Sequence, residues 1–261
     1  MLEFTHNDWE QTAYMTLANN FGFKVNNDPF SRLGKYLPLK MLLKYSDDLV
    51  HLETLIFGFA GFLTDKSMDD YHRNLTEEFR FLLKKFNLPQ PLLSRHHWKF
   101  LRLRPSNFPS IRLAQFAALI HNVRNLFSLI TNKSGFDKII KKMSVVQSPY
   151  WINHYDFGKS SKKPIPALGQ SSLHNIVINT VSPVLFAYGM YSDNDIWKEK
   201  AITYLTELKF ENNKTTRNYL YFNPQKKTAY ESQAMIELYQ NYCLKKKCLN
   251  CNIGIALINP K

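Results

Sequence analysis

The chain has 261 residues, enough to bury a sizeable core as one large domain or two closely packed ones. Hydrophobic residues at 44% and aromatic residues at 14% exclude a disordered chain, and no apolar run approaches the roughly 20 residues of a membrane span. With 34 Lys and Arg against 21 Asp and Glu the formal charge is +13, which favours acidic partners, nucleic acid among them, although surplus lysine also serves solubility.

The N-terminus, MLEFTHNDWE, lacks the basic-then-apolar pattern of an export signal, so an unexported, cytoplasmic protein is expected. Asn7 or Thr5 can start a first helix in which Trp9, Ala13, Leu17 and Phe21 recur at helical spacing before Gly22 stops it. Asn27-Asp28-Pro29 and Leu37-Pro38 open two short helices. Ser46, followed by Asp47 and Asp48, caps a longer one striped by Leu49, Leu52, Ile56, Phe59 and Leu63. Glu53 falls on or beside that stripe and must find a partner; a buried ion pair with Arg102 or Arg104 is expected. Gly58 and Gly61 cost helix propensity there, which points to close approach by a neighbour. Ser67 with Asp70 resembles a capping box for a helix that turns Tyr71, Leu75, Phe79, Leu82 and Phe86 inward.

The run LPQPLLS between Leu88 and Ser94 breaks the pattern. The chain therefore reads as a single helical domain over 1–261, with a subdivision into 1–88 and 94–261 as the alternative.

Next comes WKFLRLRPSNFPSIRLAQFAALI, Trp98 to Ile120. Arg102 and Arg104 are two apart, and Pro105 pushes Arg104 towards an extended conformation, so the two guanidinium groups are expected to project the same way. Pro109 fits a first helical turn that Asn107 or Ser110 can cap. Leu113, Phe116, Ala117, Ile120 and Val123 then share one face, with Arg112, Gln115 and Asn122 on the other. A helix start beside three arginines suits a phosphate or a carboxylate, which makes Arg102, Arg104 and Arg112 candidate nucleic-acid contacts. Lys138, Lys141 and Lys142, on a helix read over 134–143, would flank them. The alternative is that the arginines only pair with acidic side chains of their own chain.

Residues 148–169 mix aromatics, His154 and prolines without period and read as a long irregular segment. Ser171 or Ser172 restarts helix, which Pro183 should kink or end. Asp193 or Asn194 caps a helix with Trp197, Ala201, Tyr204, Leu205 and Leu208 inside, and Thr228 with Glu231 has capping-box spacing for the last long helix. Only LRLR and the terminal IGIALI suggest strand. The fold class expected is mainly α, an irregular multi-helix domain with at most a small β element and a C-terminal cysteine knuckle.

That knuckle is YCLKKKCLNCNIG, which holds all three cysteines: Cys243, Cys248 and Cys251. A C-x2-C pair can bring two thiolates onto one ion, and the third can join them. Lys245, Lys246 and Lys247 supply positive charge that suits thiolate ligands. An iron–sulfur site needs a fourth cysteine, so zinc is favoured, completed by His96, His97, His154 or His174 or by another polypeptide. Three reduced structural thiols, or a redox pair of Cys248 and Cys251, remain the alternatives. No nucleophile elbow, phosphate-binding glycine loop or paired-histidine motif is present, so no catalytic residue is assigned.

Together WKFLRLRPSNFPSIRLAQFAALI, HLETLIFGFAGFL, YWINHYDFG and YCLKKKCLNCNIG resemble the C-terminal part of an uncharacterised bacterial family, a domain of unknown function. The resemblance runs over essentially the whole chain. It implies a longer protein whose N-terminal half is similar to metal-dependent nuclease folds, with this chain an amino-terminally truncated or split member. It brings no catalytic residues. Two functional classes follow: a module holding nucleic-acid phosphates for a nuclease-like partner half, or a structural scaffold that docks another protein. A contiguous basic stripe with exposed aromatics such as Trp98, Trp151 or Tyr155 favours the first; dispersed charge with an exposed apolar patch favours the second.

Overall fold

The computed structural model describes residues 2–64, 66–132, 135–220 and 228–258. They form two compact units, Met1–Val184 and Leu185–Lys261.

In the first unit α1 (Trp9–Phe21) begins at Asp8, whose carboxylate accepts from Gln11 N–H. It packs along α2 (Asn27–Tyr36) and touches α3 (Leu39–Leu43), the two short helices expected at their prolines. α4 (Leu49–Phe59) is capped by Asp48 rather than Ser46, because the Ser46 hydroxyl donates back to Leu43 O. Likewise Asp69, not Ser67, caps α5 (Asp70–Lys85), accepting from His72 N–H. Gly58 lets the Phe79 ring lie against the α4 backbone, and Gly61, at φ +75°, faces the Leu93 carbonyl where a Cβ would sit 2.3 Å away. The 88–94 run is a connection inside this unit, leading to a 3-10 turn at Arg95–His97.

α6 (Pro109–Val123) starts at its proline as expected and crosses the unit beneath α4. No side chain caps it: Asn107 accepts from Arg112, and Ser110 donates to Tyr155 O at 2.6 Å. Its polar side is narrower than the periodicity implied, because Gln115 is buried and bonded to Pro166 O. Phe21, Phe30 and Phe116 meet with ring centroids 5.2–5.9 Å apart, and Trp151 stacks on Phe57 at 4.7 Å. The first three rings join α1, α2 and α6, and the second pair fixes the 148–169 segment on α4.

Beyond α6 lie α7 (Leu126–Thr131), whose first N–H groups are capped by Glu10 of α1, and α8 (Phe136–Met143). Ser134 lies outside the described residues. The irregular 148–169 segment contains a short α9 (Pro149–Asn153) and an antiparallel pair, β1 (His154–Asp156) with β2 (Lys159–Ser160). This is the one sheet among the described residues. α10 (Gln170–Ile176) runs through a π turn at Val177–Val181 into α11 (Ser182–Tyr191). Pro183 therefore does not end the helix; it sits in the first turn of α11, directly after the wider turn that accommodates its missing N–H.

The second unit holds α12 (Asp195–Glu207), capped by Asn194, and α13 (Lys214–Leu220). α13 is opened by a reciprocal Asn213–Thr216 pair that periodicity alone did not reveal. α14 (Ala229–Leu238) starts with the expected Thr228–Glu231 box and packs on α12 and α13. IGIALI is helix, within α15 (Asn252–Ile258), and not strand. The mainly helical fold class holds, with no helix among the described residues long and apolar enough to cross a membrane.

Candidate functional site

After α1 the chain turns through Phe23 and Lys24 at φ +44° and +72°, values that bulky side chains seldom adopt. Asn26 holds this turn against a distant segment. Its buried amide donates to Lys99 O at 3.1 Å and accepts from Lys99 N–H at 2.8 Å, as a strand partner would. The pinned segment then reverses at Arg102, φ +62°. LRLR is therefore a turn and not a strand, and Arg102 and Arg104 do not share one extended run.

Between the two turns opens a cleft of about 150 Å³, bordered by Phe23, Val25, Leu103, Asn107 and Arg112. Arg112, from the first turn of α6, donates to Asn107 Oδ1 at 2.7 Å, Gln115 Oε1 at 2.9 Å and, weakly, Ser172 Oγ at 3.4 Å. The Phe23 ring lies over its guanidinium at 4.2 Å. Every one of these partners is neutral, and among the described residues no carboxylate pairs with it. Burial lowers its pKa to about 10, so at neutral pH it is a desolvated cation without a counter-ion. Of five guanidinium N–H donors, Nε–H and one Nη2 hydrogen stay unengaged.

Lys24, Lys99, Arg102 and Arg104, all exposed, sit on the two segments that frame the cleft. None forms an ion pair among the described residues, whereas Arg32, Arg73, Arg95 and Arg124 each meet an aspartate. Internal pairing thus describes those four arginines and not the ones around the cleft. Lys138, Lys141 and Lys142 are exposed on α8, which packs on α6 near Asn122, whose amide donates to Lys142 O. Ten residues of α6 separate Arg112 from Asn122, about 15 Å along the axis. Of the three aromatics that an exposed platform could use, Trp98 and Trp151 are core residues, and Tyr155 is half-buried with Phe108 against its ring.

The ion pair of Glu53 with Arg102 or Arg104 is not formed. Glu53 is fully buried and accepts instead from the Tyr71 hydroxyl, a neutral donor one helix away. Burial first, then relief from Tyr71, Ser148 and Trp151, leaves its pKa raised to about 7. Ser148 Oγ and Trp151 Nε1 act from nearby without closing an aligned hydrogen bond, and Glu53 Oε1 has no partner. Tyr71 stacks on Tyr150 and Tyr150 on His154, each at 4.1 Å, and the Tyr150 hydroxyl donates to Asp69.

In the second unit Cys243, Cys248 and Cys251 border one apolar cavity of about 440 Å³, with Tyr219 OH 3.1 Å from Cys243 Sγ. Among the described residues no three His, Cys, Asp or Glu side chains are gathered to hold a metal ion. His96, His97, His154 and His174, the expected fourth ligands, belong to the first unit. His97 Nδ1 is bonded at Ser94 and His154 Nδ1 at Tyr150 O.

Arg112, Arg102 and Arg104 were legible as a group; Phe23, Lys24, Asn26 and Lys99 were not. Their one local signal is GFKVNN directly after a helix stop, a glycine- and asparagine-rich run suited to left-handed turns.

The fold and this cleft define a mainly helical protein with an unneutralised cationic site. The chain belongs to the family described as protein of unknown function (DUF2851), which matches residues 1–214. The match takes in the cleft and the Glu53 network and stops before the cysteines. Neither the curated proteins nor the solved structures gave a significant match.

Proposed function

We propose that the first unit binds nucleic acid through its phosphates, with Arg112 at the centre, Lys24, Lys99, Arg102 and Arg104 as rim, and Lys138, Lys141 and Lys142 as a flanking surface. The observation that carries this reading is a half-buried guanidinium with no acidic partner among the described residues, on a cleft whose framing segments carry Lys24, Lys99, Arg102 and Arg104, none of them ion-paired there. An anion from outside the chain completes such a site; an internal structural role would have recruited a carboxylate, as at Arg95. With Trp98 and Trp151 in the core, the contact is electrostatic and not base stacking. The nuclease-like partner half implied by the resemblance is the enzyme that such a module would serve.

Binding measured against salt tests it. Each neutralised phosphate contributes about −0.9 to the log–log slope on duplex and about −0.7 on single strands. Arg102→Ala with Arg104→Ala is expected to flatten the slope by about one to two and to weaken all sequences alike. Folded protein that binds neither form at low salt would instead support the scaffold reading.

For the second unit we propose a thiophilic metal, zinc first, bound by Cys243, Cys248 and Cys251. Their convergence on one cavity supports this, and binding one ion requires the three thiols to draw closer together.

A further inference from the structure

We propose that the Arg112 cleft seats a terminal phosphate monoester, so that the module holds a nucleic acid by its end. This rests on the phosphate-binding reading above and narrows it.

Size is the first reason. Pockets that enclose a drug-sized ligand run to roughly 300–1,000 Å³. The cleft, at about 150 Å³, has room for a phosphate group and not for the nucleoside it is attached to. A phosphodiester within a strand carries a sugar on both sides and cannot send its phosphorus into a recess between two turns. A terminal phosphate, with one ester bond, can enter and leave its nucleoside at the mouth.

Charge and donor geometry agree with that. A monoester carries about −1.5 to −2 at neutral pH, whereas a diester carries one charge. The larger charge suits a desolvated arginine on a cleft whose framing segments carry four more cations. The unengaged Nε–H and Nη2 hydrogen of Arg112 can meet two oxygens of one phosphate. Phe23 covers one face of the guanidinium and fixes its plane, so approach comes along the N–H edge. The positive end of the α6 dipole adds to the attraction.

The backbone gives independent support. Phe23, Lys24 and Arg102, three residues other than glycine, hold φ between +44° and +72° around this one recess. Such conformations persist only where surrounding contacts impose them, here the two Asn26–Lys99 hydrogen bonds.

The experiment is fluorescence anisotropy of the full chain with one single-stranded oligonucleotide carrying a 5′-phosphate, a 3′-phosphate or hydroxyls at both ends, beside a closed circle of the same sequence. One of the two phosphorylated forms is expected to bind roughly tenfold tighter than the hydroxyl form, the worth of one charge-assisted contact. The circle should bind like the hydroxyl form. Arg112→Gln should erase the preference while binding through the rim persists. Because that change also removes internal hydrogen bonds, Leu103→Trp, which fills the recess and leaves Arg112 in place, should erase it too. Equal binding of all ends with a normal salt slope overturns the end-recognition and leaves phosphate binding standing; no binding to any of them removes both. Competition by adenosine monophosphate as strong as by the phosphorylated oligonucleotide would assign the cleft to free phosphomonoesters and overturn it as well.

Discussion

Replacing Glu53 by Gln isolates one buried proton. Glu53 is fully buried and its pKa is raised from 4.5 to about 7, chiefly by loss of solvent. Below about pH 4.5 the carboxyl is protonated whether the chain is folded or not, and its contribution to stability is fully present. As pH rises towards 7 the unfolded chain loses this proton first, so folding stability falls by up to about 1.4 kcal/mol per pH unit. Above the folded pKa the loss levels off at about 3 kcal/mol. Gln has nearly the same shape, its amide oxygen still accepts from Tyr71, and it has no proton to lose. The wild type minus Glu53→Gln difference in unfolding free energy should therefore decline between pH 4.5 and 7 and be flat outside that window. Urea unfolding read by tryptophan fluorescence measures it: Trp9, Trp98 and Trp151 lie in the first unit, and Trp197→Phe silences the second. Tyr71→Phe removes the largest relief of the ionised form and should leave the onset near pH 4.5 while extending the decline to higher pH. A difference curve with no pH dependence across 4.5–7 would refute the reasoning.

Asp156, 3% exposed, is held by Arg95 at 2.6 Å and more loosely by Lys159 at 3.5 Å. Arg95→Met should cost about 3 kcal/mol in urea unfolding, and adding Asp156→Asn should recover most of it. Asn26→Ala frees the Lys99 segment; a loss of about 1–3 kcal/mol is expected in melting experiments, with weaker oligonucleotide binding. Elemental analysis of protein purified without chelator should find one zinc per chain, absent from Cys248→Ser with Cys251→Ser; metal-free wild type would leave the thiols as structural or redox groups.

Where an element is set by neighbours in sequence, it could be read ahead of the structure. Pro109 opens α6, Asn194 caps α12, and Thr228 with Glu231 opens α14, because each of these acts within one helical turn. The choice between adjacent capping residues was less legible: the Ser46 hydroxyl donates back to Leu43 O and the Ser67 hydroxyl forward to Asp69 O, leaving the Asp48 and Asp69 carboxylates to cap. IGIALI alternates too briefly to separate strand from helix, and Gly254 there lets α15 close on the Cys248 carbonyl. Glu53 was rightly singled out as needing a partner, but charge was the wrong guide. A phenol on the next helix was nearer than any arginine, and burial then favours the protonated acid. The cleft had one legible wall, α6 with Arg112; the other depends on Asn26 and Lys99, whose meeting no local pattern encodes.

That meeting has a consequence for the order in which the first unit assembles. One amide closes a loop of 73 residues with two hydrogen bonds, and closing a loop of that length carries about 4 kcal/mol of entropic cost. Two hydrogen bonds do not cover that alone, so the join forms only after Phe30 and Trp98, centroids 5.0 Å apart, have brought the segments together. During synthesis Asn26 leaves the ribosome 73 residues ahead of its partner, and α1 and α2 are both out of it before any second wall exists to bind. The recess at Arg112 can close only once residue 99 and the start of α6 are free of the exit tunnel.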